Sequence, residues 1–246
     1  MQTIGCDIIQ TSLSEVFCSV QGEGPYVGCR QAFVRFTGCN LKCNYCDTPV
    51  EATKICKFEA VPGSNEFQEL ENPLTPEKVS AIVNSYSGLH SVSLTGGEPL
   101  MNADFINMLE TKAPLYLESN MTLPRMAKKV KDKVSYVSGD VKLLPSELLE
   151  DPELHLESTI ECFRTLKVTK DRDCFCKIVV TKDTSADDIE GVVGAISGYI
   201  SSLILQPVTQ KEMQPKPGFL LKLQESSLNE IDTRIIPQTH KMWGCL

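Results

Sequence analysis

The sequence predicts an α/β protein built as a partial (β/α) barrel with a mostly parallel sheet. From residue 75 onward, short apolar runs of strand character alternate with segments of helical periodicity. Such alternation predicts right-handed βαβ units and therefore parallel strands. About seven strands can be counted, too few for a closed eight-stranded barrel. We expect residues 1–246 to form a single domain.

Each predicted element has a local signature. The predicted strands are AFVRFT at 32–37, SVSLT at 91–95, LYLES at 115–119, VSYVS at 134–138, FCKIVVT at 175–181, SLILQ at 202–206 and RIIP at 234–237. The predicted helices cover 76–86, 103–112, 124–132, most of 146–170, 185–199 and 218–231. In the first helix, Thr75 is the expected N-cap and Pro76 the first helical residue. The segment 49–74 lacks sustained periodicity and is interpreted as an insertion.

Composition and charge exclude several classes of protein. The net charge of −8 does not favour a nucleic-acid partner, because such proteins usually carry a basic excess. No apolar run approaches the roughly 20 residues needed to span a bilayer, and the first residues lack the pattern of a secretory signal. We therefore expect a cytoplasmic protein with neither a nucleic-acid nor a membrane partner.

Three cysteines follow the first predicted parallel strand at a spacing that indicates a metal centre. Cys39, Cys43 and Cys46 form a C-x3-C-x2-C pattern. A structural zinc ion usually takes four protein ligands. A 4Fe–4S cluster held by three cysteines instead leaves one iron free to bind a small molecule. The spacing predicts such a cluster, with a zinc site completed by a distant ligand as the alternative.

The other cysteines give no comparable pattern. The total of eleven is odd, which argues against a disulfide framework in a chain without a secretory signal. Cys162, Cys174 and Cys176 are candidates for a second metal site. However, CFCKIVV reads as a strand, in which Cys174 and Cys176 share a face and pack as small hydrophobic residues. We predict no second cluster.

A glycine pair follows the second of the predicted parallel strands. LTGGEP at 94–99 contains Gly97, which allows close approach of the backbone to a ligand, and Glu98, which can receive an ammonium group. In parallel sheets, ligands bind beyond the carboxyl ends of the strands. We therefore expect this loop to meet the three cysteines at one edge of the sheet.

The cysteine loop and the Gly-Gly-Glu-Pro loop together resemble those of the radical S-adenosylmethionine (SAM) superfamily. The resemblance implies a partial barrel of radical SAM type, with a 4Fe–4S cluster and SAM as cofactors. The reduced cluster would cleave SAM to give a 5′-deoxyadenosyl radical. The residues that the resemblance places against SAM are Tyr45, Asp47, Gly97, Glu98 and Ser138.

Further motifs resemble the 7-carboxy-7-deazaguanine synthases within this superfamily. They are VQGEG at 20–24, Arg35, CDT at 46–48 and PQTH at 237–240. The implied reaction converts 6-carboxy-5,6,7,8-tetrahydropterin to 7-carboxy-7-deazaguanine with loss of ammonia, on the route to queuosine and archaeosine. The implied substrate-binding residues are Val20, Gln21, Gly22, Glu23, Arg35, Thr95 and Leu246. Thr48 would bind Mg²⁺, and His240 is given no role. The implied partners are a one-electron reductant such as flavodoxin or ferredoxin and a second copy of the chain in a homodimer.

Two departures from the family pattern leave other readings open. Met121 stands where the family usually has glycine after Glu-Thr-Asn/Ser/Gln, and the lysine of the next strand end is displaced to Lys142. Arg35 could pair with a structural carboxylate, and Thr48 could serve as a helix cap or turn residue. The alternatives are another radical SAM enzyme, such as a glycyl-radical activase, and an iron–sulfur or zinc protein without enzyme activity.

Overall fold

The strands that the structure describes join in one sheet. A computed structural model describes residues 8–43, 46, 51–143 and 151–245. Within these residues the strands are β1 (Leu13–Val20), β2 (Arg30–Phe36), β3 (Ile55–Glu59), β4 (Phe67–Glu71), β5 (Ser91–Gly96), β6 (Leu115–Ser119), β7 (Val134–Val141), β8 (Asp173–Val180), β9 (Leu203–Pro207) and β10 (Thr233–Ile235). The helices are α1 (Pro76–Ser85), α2 (Ala103–Met108), α3 (Pro124–Val130), α4 (Pro152–Leu166), α5 (Ala186–Ile196), α6 (Pro217–Ser227) and α7 (His240–Trp243).

The order of the strands confirms an open α/β barrel. The ten-stranded sheet of the described residues runs β10-β9-β8-β7-β6-β5-β2-β1-β3-β4. From β2 through β5 to β10, every neighbouring pair is parallel. These are the strands predicted from the sequence, and from β5 to β9 each connection contains a helix. Their carboxyl ends therefore point to one edge of the barrel.

The start of the sheet differs from the prediction. β1, which was not among the predicted strands, lies antiparallel to β2. The segment 49–74 is more than an insertion loop, because β3 and β4 form an antiparallel hairpin that extends the sheet beside β1. β4 (FQELE) is an edge strand with mixed polar residues, so its sequence carries little of the alternation that marks a strand.

Helix starts agree with their sequence signals, while several ends differ. The Thr75 hydroxyl accepts a hydrogen bond from the backbone N–H of Lys78 at 3.4 Å, which confirms the predicted cap. α2 ends at Met108, four residues before the predicted end at 112. β7 continues to Val141, so Ser138 lies inside the strand and not at its end. No described helix is long and apolar enough to cross a membrane.

Among the described residues, two apolar clusters stabilise the barrel. The larger one lies between the sheet and its helices and contains fully buried residues such as Leu94, Leu117 and Ile178. The smaller one comprises Tyr116, Phe175 and Ile204, packed by Tyr26 and Tyr136. Side chains alternate along a strand, so Tyr116 shares its face of β6 with Glu118, Phe175 its face of β8 with Lys177, and Ile204 its face of β9 with Gln206. The aromatic cluster thus fills the inner face below these polar residues.

Candidate active site

A cavity of about 460 Å³ opens at the carboxyl ends of the parallel strands. Its wall brings together residues of the cysteine loop, the Gln21-Gly22-Glu23 segment and residues at the carboxyl ends of β5 and β6. The sequence-predicted residues that line it are Val20, Gln21, Gly22, Glu23, Arg35, Cys39, Cys43, Cys46, Thr95 and Gly97. Residues far apart in the sequence therefore meet at the edge where parallel sheets bind ligands.

The three cysteines lie on the cavity wall with hydrogen-bond donors around the first of them. The Cys39 sulfur accepts from the backbone N–H of Leu41 at 3.4 Å and from the Asn120 amide nitrogen at 3.9 Å. The backbone N–H of Cys46 donates to the carbonyl of Cys43 at 3.2 Å, so these two cysteines are in backbone contact. Donors aimed at sulfur stabilise a thiolate, so this loop suits an iron–sulfur cluster.

Burial in the cysteine loop disfavours free thiolates. Burial raises the pKa of Cys43 to about 11, and the nearby Cys39 and Cys46 add to the rise while Lys142 opposes it. Burial also raises the pKa of Cys39. A bound metal centre converts such thiols to thiolates. Among the described residues, no three His, Cys, Asp or Glu side chains form a group that could hold a single metal ion.

The glycine loop after β5 is locked against the cysteine loop. The backbone N–H of Glu98 donates to the carbonyl of Gly38 at 2.8 Å, and that of Gly97 donates to Phe36 at 2.9 Å. A Cβ atom at Gly97 would lie only 1.7 Å from the Gly38 carbonyl oxygen. Glycine is therefore required at position 97 because two backbones meet there.

Two residues expected beside SAM are placed away from the cavity surface. Glu98 is fully buried and accepts hydrogen bonds from the backbone N–H of Leu100 and Asn120 and from the Ser119 hydroxyl. Its carboxylate ties the loop after β5 to the loop after β6. Ser138 is buried inside β7. Neither side chain is part of the cavity lining, so their contacts with SAM stay predictions.

The glycine-rich loop at 21–24 is covered by the last described segment. The Gly22 carbonyl accepts from the backbone N–H of Thr239 at 2.9 Å, and Glu23 accepts from the Gln238 amide at 2.7 Å. A Cβ atom at Gly22 would lie 2.1 Å from His240 Nδ1. Gln238 and His240 consequently line the cavity. The His240 position was missed because a histidine near the chain end has no local signature of a site.

Arg35 has a carboxylate partner within the chain. Its Nε donates to Glu15 at 3.3 Å, and its guanidinium carbon lies 5.6 Å from the centroid of the Phe17 ring. Glu15 and Arg35 are opposite each other on β1 and β2. Arg35 still lines the cavity, and a guanidinium has four further N–H groups to offer.

Glu118 is the main cavity residue to which the sequence assigned no role. It lies near the carboxyl end of β6, and its carboxylate accepts from Gln21 Nε2 at 3.1 Å, Ser93 Oγ at 2.7 Å and Thr95 Oγ1 at 3.1 Å. A carboxylate has about four acceptor sites, and three donors among the described residues leave one for a ligand. The sequence feature that could have identified Glu118 as a site residue is its place near the end of a predicted strand.

Comparison with known proteins places these features in a family. A family model, the radical SAM superfamily, matches residues 33–195. The 7-carboxy-7-deazaguanine synthase of Archaeoglobus fulgidus is 42% identical over 236 residues, which cover 96% of this chain and 99% of the relative. That of Geobacter sulfurreducens is 37% identical over 254 residues, which cover 95% and 97%. This chain belongs to the 7-carboxy-7-deazaguanine synthase family.

A solved structure shares the fold of this chain. The crystal structure of QueE from Escherichia coli superposes with a TM-score of 0.59 at 18% sequence identity and covers 94% of this chain and 95% of that one. The agreement over nearly the whole of both chains supports the partial barrel of radical SAM type.

The first departure from the family pattern is Met121, which stands where the family usually has glycine. Met121 adopts a left-handed conformation with φ 58°, the region that glycine normally supplies. It is fully buried, and its N–H donates to Ser119 Oγ at 3.0 Å. Burial of the side chain offsets the roughly 1–2 kcal/mol that this conformation costs.

The second departure is part of a cluster of charges. Lys142 pairs with Asp140 at 2.8 Å, and Lys177 pairs with Asp140 at 3.0 Å and also with Glu23. Burial lowers the pKa of Lys177, but Asp140 and Glu23 together raise it well above its usual value. Burial raises the pKa of Glu23, but Lys177 and Gln238 hold it below its usual value. In the sequence, the feature that indicates this cluster is a lysine within the apolar strand FCKIVV, where it needs an acidic partner.

The remaining predicted residues lie outside the described part of the chain. They are Tyr45, Asp47, Thr48 and Leu246. The predicted SAM contacts of Tyr45 and Asp47, the Mg²⁺ contact of Thr48 and the substrate contact of Leu246 stay predictions.

Proposed function

We propose that the protein converts 6-carboxy-5,6,7,8-tetrahydropterin to 7-carboxy-7-deazaguanine with loss of ammonia. The observation that carries this proposal is a single cavity lined by the three cysteines, the Gln21–Glu23 loop, Arg35 and Glu118. Family relatives at 42% and 37% identity bear the name of this activity. A radical SAM centre and a polar pocket for a small anionic substrate therefore share one space.

The cofactors would bind where the cysteine loop and the glycine loop line the cavity. Cys39, Cys43 and Cys46 would hold the 4Fe–4S cluster, and the backbone at Gly97 would approach SAM. When bound, the cluster and SAM supply the radical that removes a hydrogen atom from the substrate. The protein contributes orientation and the exclusion of water and of other hydrogen donors.

Two charged side chains of the cavity wall, Arg35 and Glu118, suit the polar edges of a pterin. The guanidinium N–H groups of Arg35 that do not contact Glu15 would bind the substrate carboxylate. The open acceptor site of Glu118 would accept an N–H of the aminopyrimidinone edge. Arg35 and Glu118 both line this cavity, so one flat substrate with a carboxylate and an aminopyrimidinone edge would contact both of them.

Further partners belong to the proposal on family grounds. Thr48 would offer a hard oxygen to Mg²⁺, with water and the substrate supplying further ligands. A small one-electron donor, such as flavodoxin or ferredoxin, would reduce the cluster, and the chain would act as a homodimer.

An anaerobic turnover assay tests the proposal. Reconstituted protein is incubated with SAM, dithionite, Mg²⁺ and 6-carboxytetrahydropterin, and the product is identified by mass spectrometry. We expect 7-carboxy-7-deazaguanine and ammonia in equal amounts, and neither product from a Cys43→Ala control. Cleavage of SAM without conversion of the pterin would reject the substrate while retaining the radical SAM assignment.

A further inference from the structure

A chain of buried amide and hydroxyl groups runs from the cavity into the closed part of the barrel. Gln21 Nε2 donates to Glu118 Oε1 at 3.1 Å and to Gln31 Oε1 at 3.0 Å. Gln31 Nε2 in turn donates to Ser91 Oγ at 2.9 Å. Gln31 and Ser91 are fully buried, and Gln21 is 4% exposed. Three polar side chains thus link a cavity carboxylate to the interior.

The orientation of every amide in this chain is determined by one backbone group. The backbone N–H of Glu23 donates to Gln21 Oε1 at 3.0 Å, and a backbone N–H can only donate. The Gln21 amide nitrogen must therefore point to the other side, where it meets acceptors on Glu118 and Gln31. The oxygen of Gln31 then faces Gln21, so its nitrogen faces Ser91. No alternative amide orientation satisfies all of these contacts.

Gln31 cannot reach a ligand directly. Gln21 and Glu118 line the cavity, whereas Gln31 does not. Gln31 lies on β2 opposite Ser91 of β5, below the layer that carries Ser93 and Glu118. The side-chain hydrogen bond that connects Gln31 to a cavity residue is the one with Gln21.

We infer that Gln31 is a positioning residue for substrate recognition. Its carbonyl holds one N–H of Gln21, so the other N–H is held on Glu118 and the carboxylate keeps its open acceptor site toward the cavity. Without this acceptor, the Gln21 amide can rotate away from Glu118, which then loses one of its three donors. The inference rests on the proposed function, because Glu118 is the group that would bind the pterin edge.

Kinetics of a Gln31→Met variant test the inference. Methionine has a similar length and fills the same space, but it offers no comparable acceptor. We expect KM for the pterin to rise about 2- to 12-fold, the worth of one net hydrogen bond, with kcat within about twofold of wild type. SAM cleavage without substrate and the iron content should not change, because the cluster loop lies elsewhere on the cavity wall.

A control variant separates positioning from general loss of stability. Gln224 on α6 is half-buried, whereas Gln31 is fully buried, and it donates to the Thr233 carbonyl at 2.9 Å, outside the cavity. Gln224→Met should lower the melting temperature while leaving KM unchanged. An equal rise of KM in both variants would overturn the inference.

A double-mutant cycle decides whether Gln31 acts through Gln21. If it does, Gln31→Met has little further effect on KM in a Gln21→Met background. Additive effects on KM would overturn the inference. Should Gln31→Met fail to fold, Ser91→Ala decides instead, because it removes the anchor of the Gln31 amide. A KM at the wild-type value in Ser91→Ala would then overturn it.

The wild-type enzyme distinguishes the two levels of the argument. If wild type forms no product from the pterin, the proposed function fails, and the inference that rests on it is overturned with it. If wild type turns over and Gln31→Met keeps the wild-type KM, only the positioning role is overturned.

Discussion

Replacement of Lys177 by methionine should destabilise the protein strongly, because it leaves two carboxylates in the barrel without their shared cation. The Lys177 side chain is only 7% exposed and pairs with Asp140 at 3.0 Å and with Glu23. Asp140 keeps Lys142 at 2.8 Å, so Glu23 loses the most. Methionine fills the volume, and the effect therefore reports the charge and not a void.

The magnitude follows from the cost of an unpaired buried charge. Removal of one partner from a buried pair costs about 3–5 kcal/mol. In a chain of this length, such a loss lowers the melting temperature by roughly 6–20 °C. Lys129→Met is the matched control, because Lys129 pairs with Asp104 at 2.8 Å but is 43% exposed. An exposed pair contributes about 0–1 kcal/mol, so its melting temperature should fall by no more than about 4 °C.

The loss should depend on pH in a defined direction. In wild type, the pKa of Glu23 lies below its ordinary 4.5, so the stabilisation by the pair is present above that pH and is lost as the pH falls through the folded pKa. In Lys177→Met, burial raises the pKa of Glu23, and proton uptake at lower pH relieves the unpaired charge. The difference in melting temperature from wild type should therefore be larger at pH 8 than at pH 5.

Thermal unfolding of the anaerobic protein at both pH values is the assay. The double variant Lys177→Met with Glu23→Gln should recover much of the stability at pH 8, because the charge left unpaired is gone. A loss in Lys177→Met that equals that of Lys129→Met, or that grows as the pH falls, would refute the reasoning.

Three shorter predictions concern the cavity wall. Gly97→Ala should displace the Gly38 backbone, lower the free energy of unfolding by about 1–3 kcal/mol and reduce the iron retained after reconstitution. Thermal unfolding and iron analysis measure these effects, and full iron loading at the wild-type melting temperature would contradict the prediction. Arg35→Ala should raise KM for the pterin about ten- to a hundredfold while sparing SAM cleavage without substrate, and an unchanged KM would place the substrate carboxylate elsewhere. Cys43→Ala should abolish the charge-transfer absorbance and SAM cleavage, whereas Cys174→Ala, in the core, should keep the full iron content; iron loss in the latter would reveal a second cluster.

The sequence alone determined the elements whose signals are local. The parallel strands are continuous apolar runs, and the first helix is marked by its cap Thr75 and by Pro76. Both kinds of element could therefore be predicted from short stretches of sequence. The cysteine spacing lies within eight residues, and the glycine pair directly follows a strand. Because parallel strands end at one edge, the meeting of these two loops could also be predicted.

The tertiary structure decided which distant residues pair inside the barrel. Glu23 and Lys177 are separated by 154 residues, and Gln21 and Glu118 by 97, so no sequence window contains either pair. The β3–β4 hairpin was missed for the same reason, since its attachment to β1 depends on sheet pairing and not on its own alternation. Period-two alternation places Gln31 and Arg35 on one face of β2. Only the register with β5 and β6 decides that Arg35 reaches the cavity while Gln31 lies beneath it.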